Sequence, residues 1–503
     1  MAGRRAIVLG LGRFGGGHGV ARWLLDQGAD VLVTDLASEQ SLGEAATDLA
    51  RRGAQLVLGG HDGVDVEGAD LLVVNPAVPL TAPLVQRALS AGVTVTSEVA
   101  LLMERWPGPV VGVTGSNGKS TTVSLTQAIL VAAGQPALAG GNLGGSLLDR
   151  LDDVAQGTVA VLELSSFMLE TLELLGQGPD VALITNITPN HLDRHDTFDS
   201  YRDAKAAVMA RAHTVVLNAD DPVIAALAPP TTAKTLWFGD IERSLAEVDG
   251  QQPGSGGNST PRPLASGGPT VGPDVGVDPA GNLRTSRGEL ILSNEAMPLP
   301  GRANRLDLAA AALAATALVG QLARVVEALP ASLQGFRLPP HRLETVSTAG
   351  GIRWIDDSVS TTPESTAASL AALAQQGCVD PSAPGRPAAQ GPGPRCLLIA
   401  GGHDKGLDAG PLVDAASRHA AQVLTIGEEG RGLGQRLTAA GVSCHYAETL
   451  ARAVTQAADW AREGDCVLLS PGYSSHDQFV HFAARGQAFR DAVNGLQGPE
   501  PLS

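Results

Sequence analysis

Residues 109–122 read Pro-Val-Val-Gly-Val-Thr-Gly-Ser-Asn-Gly-Lys-Ser-Thr-Thr. The apolar run predicts a buried strand, the glycines predict a turn, and Lys119-Ser120 predicts the start of a helix. Gly115 and Gly118 let backbone N–H groups point at phosphate oxygens, while Lys119 and the helix N-terminus add positive charge. Ser120 supplies a hydroxyl for Mg²⁺. The stretch therefore predicts a nucleotide phosphate site in an α/β fold.

The spacing of this loop departs from the general P-loop pattern, which has a glycine six residues before the lysine. Val113 occupies that position here. The compressed form, Thr-Gly-Ser-Asn-Gly-Lys-Ser-Thr, belongs to fewer families than the general pattern does. An ordinary glycine turn between a strand and a helix is the alternative, which Lys119, Ser120 and the apolar strand disfavour.

Composition limits the class of protein. A chain of 503 residues exceeds what one hydrophobic core normally serves, so several domains are expected. The net charge of −17 argues against nucleic-acid and anionic-membrane partners, which need basic surfaces. The four cysteines form no CxxC pair, and no apolar stretch approaches the roughly 18–20 residues of a membrane span. We therefore expect a cytoplasmic protein with neither a zinc site nor a disulfide framework.

Three α/β regions follow one another along the chain, and each alternates apolar strands with helical patterns. Residues 1–105 predict a Rossmann-like domain, 106–338 a P-loop-type central ATPase domain, and 339–503 a second Rossmann-like domain on a third parallel sheet. Residues 250–280 and 379–394 are low in complexity, and the first of these stretches is expected to be a flexible surface insertion.

The glycines Gly10, Gly12 and Gly15 precede a strand that ends at Asp35, roughly the spacing of a dinucleotide site. This signal is weak alone, because glycine turns also occur where a strand simply meets a helix. In the central region, polar residues end three strands, at Glu163, at Thr185-Asn186 and at residues 218–221. Since ligands bind at the carboxyl ends of parallel strands, we expect these residues to converge near the phosphate loop.

Three further groups are candidates for metal chemistry, each with an ordinary alternative. Glu163 with Ser165-Ser166 would suit Mg²⁺ or would simply cap a helix. The segment from His191 to His195, expected in a loop, is compatible with metal coordination or with surface histidines. Lys205 lies on a predicted helix, where most lysines are solvated.

Eight ordered blocks resemble the ATP-dependent Mur ligases of peptidoglycan synthesis, above all those that add D-glutamate. The resemblance covers almost the whole chain outside the two low-complexity stretches. The blocks are Thr114–Thr121, Gly140–Gly144, Leu162–Phe167, Asn186–Arg194, Tyr201–Lys205, Asn218–Asp221, Pro340–Arg342, and Leu469–Pro471 with Asp477–Phe479.

The resemblance implies an acyl-phosphate mechanism. The terminal carboxylate of UDP-N-acetylmuramoyl-L-alanine would attack the γ-phosphate of ATP, and the amine of glutamate would then displace phosphate. Lys119, Arg342 and two Mg²⁺ ions would neutralise the two anions. A monomer of three domains that closes on its substrates is implied as well.

The implied site residues are carried over by position in this sequence. Those expected in catalysis are Lys119, His191, Lys205 and Arg342. Those expected to hold metal are Ser120, Glu163, His191 and Lys205 as a carbamate. Those expected to bind ATP are Gly115, Ser116, Asn117, Gly118, Lys119, Ser120, Thr121, Asp221, Asn304 and Asp357. Those expected to bind the other substrates are Gly12, Arg13, Phe14, Asp35, Asn142 and Ser165, with Lys405, Ser475 and Phe482 for glutamate.

The sequence departs from the family pattern near the expected amino-acid and adenine contacts. Val359 replaces a lysine that ordinarily touches phosphate or glutamate, and the segment Gly301–Asn304 lacks its usual histidine. The segment Gly472–His476 also differs from the usual one. A positive charge is therefore missing, and either Lys405 compensates for it or glutamate is held differently.

Other functions remain open at this stage. A related Mur-type ligase could take L-glutamate or another amino acid. A binding or regulatory protein could keep the ATP fold without catalysis, although the retention of Lys119, Glu163, His191 and Lys205 argues against this. A Rossmann oxidoreductase could use the glycines from Gly10 to Gly17.

Overall fold

The computed structural model describes residues 1–12, 15–143, 145–190, 192–195, 197–241, 272–297, 299, 301–375, 377 and 394–496, and only the backbone of Leu192 and Asp193. The described chain forms three β-sheets flanked by helices and divides into two compact units. The first unit comprises Met1–Ile187, Arg202–Ser293 and Asp307–Gln334, and the second comprises Thr188–Tyr201, Asn294–Leu306 and Gly335–Ser503. None of the helices in the described ranges is long and apolar enough to cross a membrane.

The first sheet has five parallel strands in the order β3-β2-β1-β4-β5. The strands are β1 Arg5–Leu9, β2 Asp30–Asp35, β3 Gln55–Leu58, β4 Leu71–Val74 and β5 Thr94–Thr96. The helices are Gly16–Asp26, Glu39–Leu42, Glu44–Arg51, Pro83–Ser90 and Glu98–Arg105. The order in which successive strands are added to the sheet reverses between β1 and β4, and ligands bind at such a switch point in open α/β sheets. The Gly10–Gly12 turn lies there, at the carboxyl end of β1.

The second sheet has nine strands in the order β14-β13-β12-β11-β10-β9-β6-β8-β7. They are β6 Val110–Thr114, β7 Ala137–Gly141, β8 Val159–Glu163, β9 Val181–Ile184, β10 Thr214–Asn218, β11 Lys234–Asp240, β12 Val275–Val277, β13 Leu283–Thr285 and β14 Leu290–Leu292. From β6 to Leu333 the helices are Lys119–Ala132, Ser166–Leu174, Leu192–His195, Phe198–Ala206, Pro222–Ala225, Gly301–Val319 and Leu322–Leu333, with 3-10 turns at Leu148–Asp153, Ala207–Met209 and Asn294–Ala296.

The central strands of this sheet are apolar runs because helices cover both faces. Val111, Val161, Leu183 and Val216 are completely buried. Their polar successors therefore gather at one edge of the sheet, where the parallel strands end. The packing uses Val, Leu, Ile and Ala, as a chain with only 3% aromatic residues requires.

The prediction that residues 250–280 form a flexible insertion is wrong for the last part of this stretch. Val275–Val277 is a buried strand that pairs in parallel with β11, with Val275 opposite Phe238. The two valines of Val275-Gly276-Val277 bury their side chains, and this short pattern is hard to distinguish inside a glycine-rich stretch. Residues 242–271 lie outside the described residues.

The third sheet has six strands in the order β15-β16-β20-β17-β18-β19. They are β15 Glu344–Ser347, β16 Arg353–Asp356, β17 Cys396–Gly401, β18 Gln422–Ile426, β19 Cys444–Glu448 and β20 Cys466–Leu469. The helices are Pro363–Gln375, Gly410–His419, Gly430–Ala439, Leu450–Trp460 and Phe482–Gly495, with a 3-10 turn at Ala349–Gly351. The prediction of a parallel sheet is wrong for β15, which runs antiparallel to β16 and shows a register shift between Thr345 and Ser347. Residues 378–393 of the second low-complexity stretch are not among those described.

Candidate active site

The phosphate loop connects β6 to the helix Lys119–Ala132, as the sequence predicts. Gly115 and Gly118 have φ angles of 147° and 82°, which side chains rarely adopt. A Cβ at Gly115 would overlap the hydroxyl of Thr185, and one at Gly118 would overlap the carboxylate of Asp307. Both positions therefore require glycine for space as well as for backbone conformation.

The neighbouring strand end holds this loop in place. The Thr185 hydroxyl donates to the carbonyl oxygen of Asn117 at 2.6 Å, and the Asn117 N–H donates to Oδ1 of Asn186 at 2.9 Å. The Ser116 N–H donates to the Asn186 carbonyl at 2.8 Å. The expected convergence of Thr185-Asn186 on the loop is confirmed.

The amine of Lys119 folds over its own loop. Its Nζ donates to the carbonyl oxygens of Gly115 at 2.9 Å and Ser116 at 3.0 Å. The charge thus lies directly above the turn whose N–H groups would face phosphate oxygens.

Glu163 lies beside the first turn of the same helix, at the end of β8. It is 4% exposed, and its Oε2 accepts the Ser120 hydroxyl at 2.6 Å. Its Oε1 accepts the side-chain amide of Asn142 at 3.0 Å, and its backbone carbonyl accepts the Asn142 N–H at 2.9 Å. A hydroxyl and a carboxylate at one point are the oxygen ligands that Mg²⁺ prefers.

Lys205 reaches the loop from the helix Phe198–Ala206. Its amine is buried and donates to the Gly115 carbonyl at 2.8 Å and, more weakly, to the Thr114 hydroxyl at 3.4 Å. Burial and the nearby Lys119 charge lower the pKa of Lys205 well below its usual value, while Glu163 acts in the opposite direction. The amine is therefore readily available in its neutral, nucleophilic form. The sequence alone favoured a solvated lysine, and the structure shows the opposite.

The remaining expected metal ligand, His191, lies outside the described residues. The prediction of a loop over 191–195 is wrong for Leu192–His195, which forms one turn of helix. Four residues suffice for such a turn, too few for a periodic pattern to reveal it. Across the described ranges, no three His, Cys, Asp or Glu side chains are grouped so that they could hold a metal ion. Within the described residues, Ser120 and Glu163 are a pair of oxygen donors that fits Mg²⁺.

Two further expected contacts in this unit are capping groups. Asp221 accepts the N–H groups of Val223 at 2.9 Å, Ile224 at 3.1 Å and Ile187 at 2.7 Å. Ser165 caps the helix Ser166–Leu174 by accepting the Met168 N–H at 3.3 Å. Both roles are structural, and their expected ligand contacts stay predictions.

The glycine turn of the first sheet is tied to Asp35. Its two carboxylate oxygens accept the Leu11 and Ala37 N–H groups, each at 2.8 Å. A Cβ at Gly12 would lie 2.5 Å from Nδ2 of Asn75. Asn75 is the polar residue that directly follows β4. It is not among the candidate site residues identified from the sequence, although its position at a strand end is a signal for one. The expected contacts Arg13 and Phe14 lie outside the described residues.

In the second unit, Asp357 is held by several donors. Its Oδ2 accepts the hydroxyls of Ser369 and Ser470, each at 2.7 Å, and its Oδ1 accepts the Leu343 N–H at 3.2 Å. Burial raises the pKa of Asp357, against the opposing effect of these hydroxyls and of the Arg342 charge. The expected residues Arg342 and Asp357 are thus electrostatically coupled. Asn304 is buried in the first turn of the helix Gly301–Val319.

The residues expected to bind glutamate lie on loops after strands of the third sheet. Lys405 follows β17 and Ser475 follows β20, and the two loops are joined by a backbone pair between His403 and Ser474, at 2.9 and 3.2 Å. Phe482 begins the last helix, and its carbonyl accepts the Ser358 hydroxyl at 2.8 Å.

Arg485 supports these loops and was missed from the sequence. It is 1% exposed and donates to the Ser358 hydroxyl and carbonyl, each at 3.0 Å, and to the Tyr473 carbonyl at 3.1 Å. Burial lowers its pKa to about 9, against the opposing charges of Asp477 and Asp356. A lone arginine on a helix gives no sequence signal for such a role.

Comparison with known proteins decides the family. Three family models match, described as the Mur ligase MurD-like N-terminal domain over residues 4–97, the Mur ligase middle domain over 113–268, and the Mur ligase glutamate ligase domain over 341–472. The chain belongs to the Mur ligase family. The resemblance inferred from the eight sequence blocks is confirmed.

The relatives of this Mur ligase match along its length. The UDP-N-acetylmuramoylalanine--D-glutamate ligase of Myxococcus xanthus is 35% identical over 501 residues, which are 99% of each chain. The ligase of the same name from Anaeromyxobacter dehalogenans is 37% identical over 496 residues, 97% of each chain.

Solved structures support the fold. The UDP-N-acetylmuramate-alanine ligase MurC of Thermotoga maritima matches with a TM-score of 0.58 and 18% identity, covering 98% of this chain and 100% of that one. A pseudomurein peptide ligase type C from Methanothermus fervidus matches with a TM-score of 0.56 and 19% identity, at the same coverage. The predicted α/β fold class, with a P-loop-type central sheet between two Rossmann-like ones, is confirmed.

Proposed function

We propose that this Mur ligase is an ATP-dependent amide ligase that joins D-glutamate to UDP-N-acetylmuramoyl-L-alanine in peptidoglycan precursor synthesis. The observation that carries the proposal is the match to D-glutamate ligases at 35% and 37% identity over almost the whole chain. The phosphate loop, with Lys119, Ser120 and Glu163 around it, supplies the chemistry such a ligase needs.

The reaction has two steps. In the first, a carboxylate oxygen of the alanyl group bonds to the γ-phosphorus of ATP while the bond to the bridging oxygen breaks and ADP leaves. In the second, the glutamate amine bonds to the acyl carbon, phosphate leaves, and the amine loses a proton. Both steps bring anions together, so Lys119 and Arg342 would bind and orient them by neutralising charge.

Mg²⁺ would be held by Ser120 and Glu163, which already meet at 2.6 Å. When bound, it would neutralise phosphate charge and withdraw electron density from the γ-phosphoryl group. A second Mg²⁺ would be held by His191 and a carbamate on Lys205. The two-ion arrangement follows from the family resemblance.

The carbamate proposal is supported by the setting of Lys205. Its amine is buried, and its pKa is lowered by burial and by Lys119, so that the neutral form can bond to carbon dioxide and release one proton. The product is an anion with two oxygens, which suits a magnesium site better than an ammonium group does.

Substrate contacts are distributed over the three sheets in this proposal. The UDP group would be held by Gly12, Arg13, Phe14 and Asp35, and the muramoyl group by Asn142. Ser165, two residues after Glu163, would be a further substrate contact. Adenosine would contact Asp221 and Asn304, and Asp357 would be a further ATP contact. Glutamate would contact Lys405, Ser475 and Phe482. Val359 leaves one fewer cation for glutamate than the family pattern provides.

The proposed domains are residues 1–105 for the UDP substrate, 106–338 for ATP and 339–503 for the amino acid. We further propose a monomer that closes on its substrates. Its substrates, ATP and a UDP-linked precursor, favour a cytoplasmic location.

A coupled phosphate-release assay tests the proposal. UDP-N-acetylmuramoyl-L-alanine, ATP and Mg²⁺ are supplied with D-glutamate or L-glutamate in separate reactions. We expect phosphate release with D-glutamate and little with L-glutamate. Preferred turnover with L-glutamate would support the alternative of a related ligase that adds L-glutamate, and turnover with another amino acid alone would overturn the assignment.

A further inference from the structure

A short segment after β7 is packed between two helices of the first sheet. The hydroxyl of Ser146 donates to Oε1 of Glu98 at 2.6 Å. A Cβ at Gly19 would lie 2.5 Å from Cβ of Ser146, so the helix Gly16–Asp26 passes close by because it has glycine there. Arg22 of the same helix donates to Asp149 at 2.8 Å. Residues 146–149 are thus joined to both helices.

Glu98, which accepts the Ser146 hydroxyl, is a buried carboxyl group. It begins the helix Glu98–Arg105, whose N-cap is Ser97. Burial raises the pKa of Glu98, the Ser146 hydroxyl opposes this effect and Asp149 adds to it, and the resulting pKa is about 7. The nearby cation Arg22 is engaged by Asp149. An apolar residue would fill the same space without the cost of burying a polar group, so packing alone does not account for a hydrogen-bond acceptor at this position.

Residues 146–149 lie close in sequence to one expected substrate contact, and the helix Gly16–Asp26 that they touch lies close in sequence to others. Four residues before Ser146 lies Asn142, whose side chain is bonded to Glu163 at 3.0 Å. The helix that carries Gly19 begins at Gly16, four residues after the Gly10–Gly12 turn of the first sheet. The Ser146–Glu98 hydrogen bond, together with the contacts of Gly19 and Arg22, therefore joins the segment that follows Asn142 in sequence to both helices.

We propose that Glu98 is a positioning residue, acting through Ser146, that sets the enzyme's affinity for its nucleotide-linked substrate. The inference rests on the proposed function, because it concerns the substrate named there. Glu98 holds the Asn142 loop in place before the substrate arrives, so that binding does not have to order it. The phosphate loop has further anchors of its own in Thr185 and Asn186, so we expect ATP binding to depend less on this hydrogen bond than binding of the UDP substrate does.

The test is a steady-state analysis of Ser146→Ala, Glu98→Ala and Glu98→Gln in the full chain, with each substrate varied in turn. The lost hydrogen bond to a charged group predicts a rise of about tenfold in KM for UDP-N-acetylmuramoyl-L-alanine. We expect kcat and the KM for ATP to change less than threefold. Glu98→Gln keeps an acceptor for the Ser146 hydroxyl and is expected to stay within about twofold of the wild type.

Ser90→Ala is the matched control, because among the described residues the Ser90 hydroxyl donates to the Gln86 carbonyl at 2.8 Å, within its own helix beside the first sheet. It should leave every KM unchanged. A further control is calorimetric binding of the UDP substrate to each folded variant. If Glu98→Ala does not fold, Ser146→Ala and Glu98→Gln still decide the question.

An unchanged KM for the UDP substrate in Ser146→Ala would overturn the inference. A fall in kcat together with a rise in the KM of every substrate would overturn it as well. An inactive wild type would instead refute the proposed function. The two failures are therefore distinguishable.

Discussion

The amine of Lys205 donates a hydrogen bond to the carbonyl oxygen of Gly115 across 2.8 Å, which ties the helix Phe198–Ala206 to the phosphate loop. The two residues are 90 positions apart in sequence. A buried amine at this point, beside the charge of Lys119, favours its neutral form. The contact thus joins the candidate carbamate to the candidate nucleotide site.

Lys205→Arg tests the carbamate. A guanidinium is positively charged and forms no carbamate, so we expect turnover to fall by at least about 100-fold. Carbon NMR with ¹³C-labelled bicarbonate should show a carbamate signal in the wild type and lose it in the variant. Lys234→Arg, at the exposed start of β11, should keep both the signal and the turnover. Full activity in Lys205→Arg would contradict the prediction.

Lys119→Ala removes the charge above the phosphate loop. Loss of one preorganised charged donor should lower kcat by roughly 100- to 1,000-fold. Phosphate release measures the effect, and Lys234→Ala serves as the control for removing a lysine elsewhere in the same sheet. Undiminished ATP consumption in Lys119→Ala would refute the role assigned to this lysine.

Gly118→Ala separates steric overlap from backbone strain. The φ of Gly118 is 82°, and a Cβ there would overlap the Asp307 carboxylate. Gly134, at the other end of the same helix, has the same φ of 82° with nothing within 4 Å of a Cβ. Each alanine should cost about 1 kcal/mol of backbone strain, but only Gly118→Ala should weaken ATP binding measurably. Equal ATP affinity in the two variants would be the contrary result.

The stability of the protein should depend on pH through Glu98. Because the pKa is raised from 4.5 to about 7, the folded state binds the proton more tightly than the unfolded state does. The unfolding free energy therefore falls as the pH rises from about 4.5 to about 7, by up to roughly 3 kcal/mol. The Asp149 charge strengthens the effect, and Arg22 is paired with Asp149.

Glu98→Gln removes this titration while keeping the hydrogen-bond acceptor. Thermal unfolding should show the variant more stable than the wild type at pH 8 and nearly equal to it at pH 5. A constant difference between the two proteins across that range would show that Glu98 does not titrate as expected.

The sequence was most informative where structure is local. The apolar runs Leu71–Val74, Val159–Glu163, Thr214–Asn218 and Cys466–Leu469 coincide with strands, because a buried parallel strand needs a short continuous apolar run. The strand Ala137–Gly141, with the sequence Ala-Leu-Ala-Gly-Gly, was not predicted because alanine and glycine carry little strand preference. The fold class thus followed from pattern, while weakly patterned strands did not.

The site was predictable in part. The phosphate loop and Glu163 follow from spacing and from their positions at strand ends. The burial of Lys205, the support from Arg485 and the pair of Glu98 with Ser146 depend on contacts between residues 48 to 127 positions apart. Nothing local in the sequence encodes such contacts, because they arise only when the sheets and helices pack.

The bonds from Lys119 to the carbonyl oxygens of Gly115 and Ser116 also bear on inhibitor design. A compound that draws the Lys119 amine away from these two carbonyls must offer acceptors in their place, since an ammonium group left short of partners is costly. Anionic or strongly accepting groups meet this demand. Neutral apolar compounds should instead bind beside the loop, where potency has to come from shape and from contacts that distinguish this enzyme from other users of ATP.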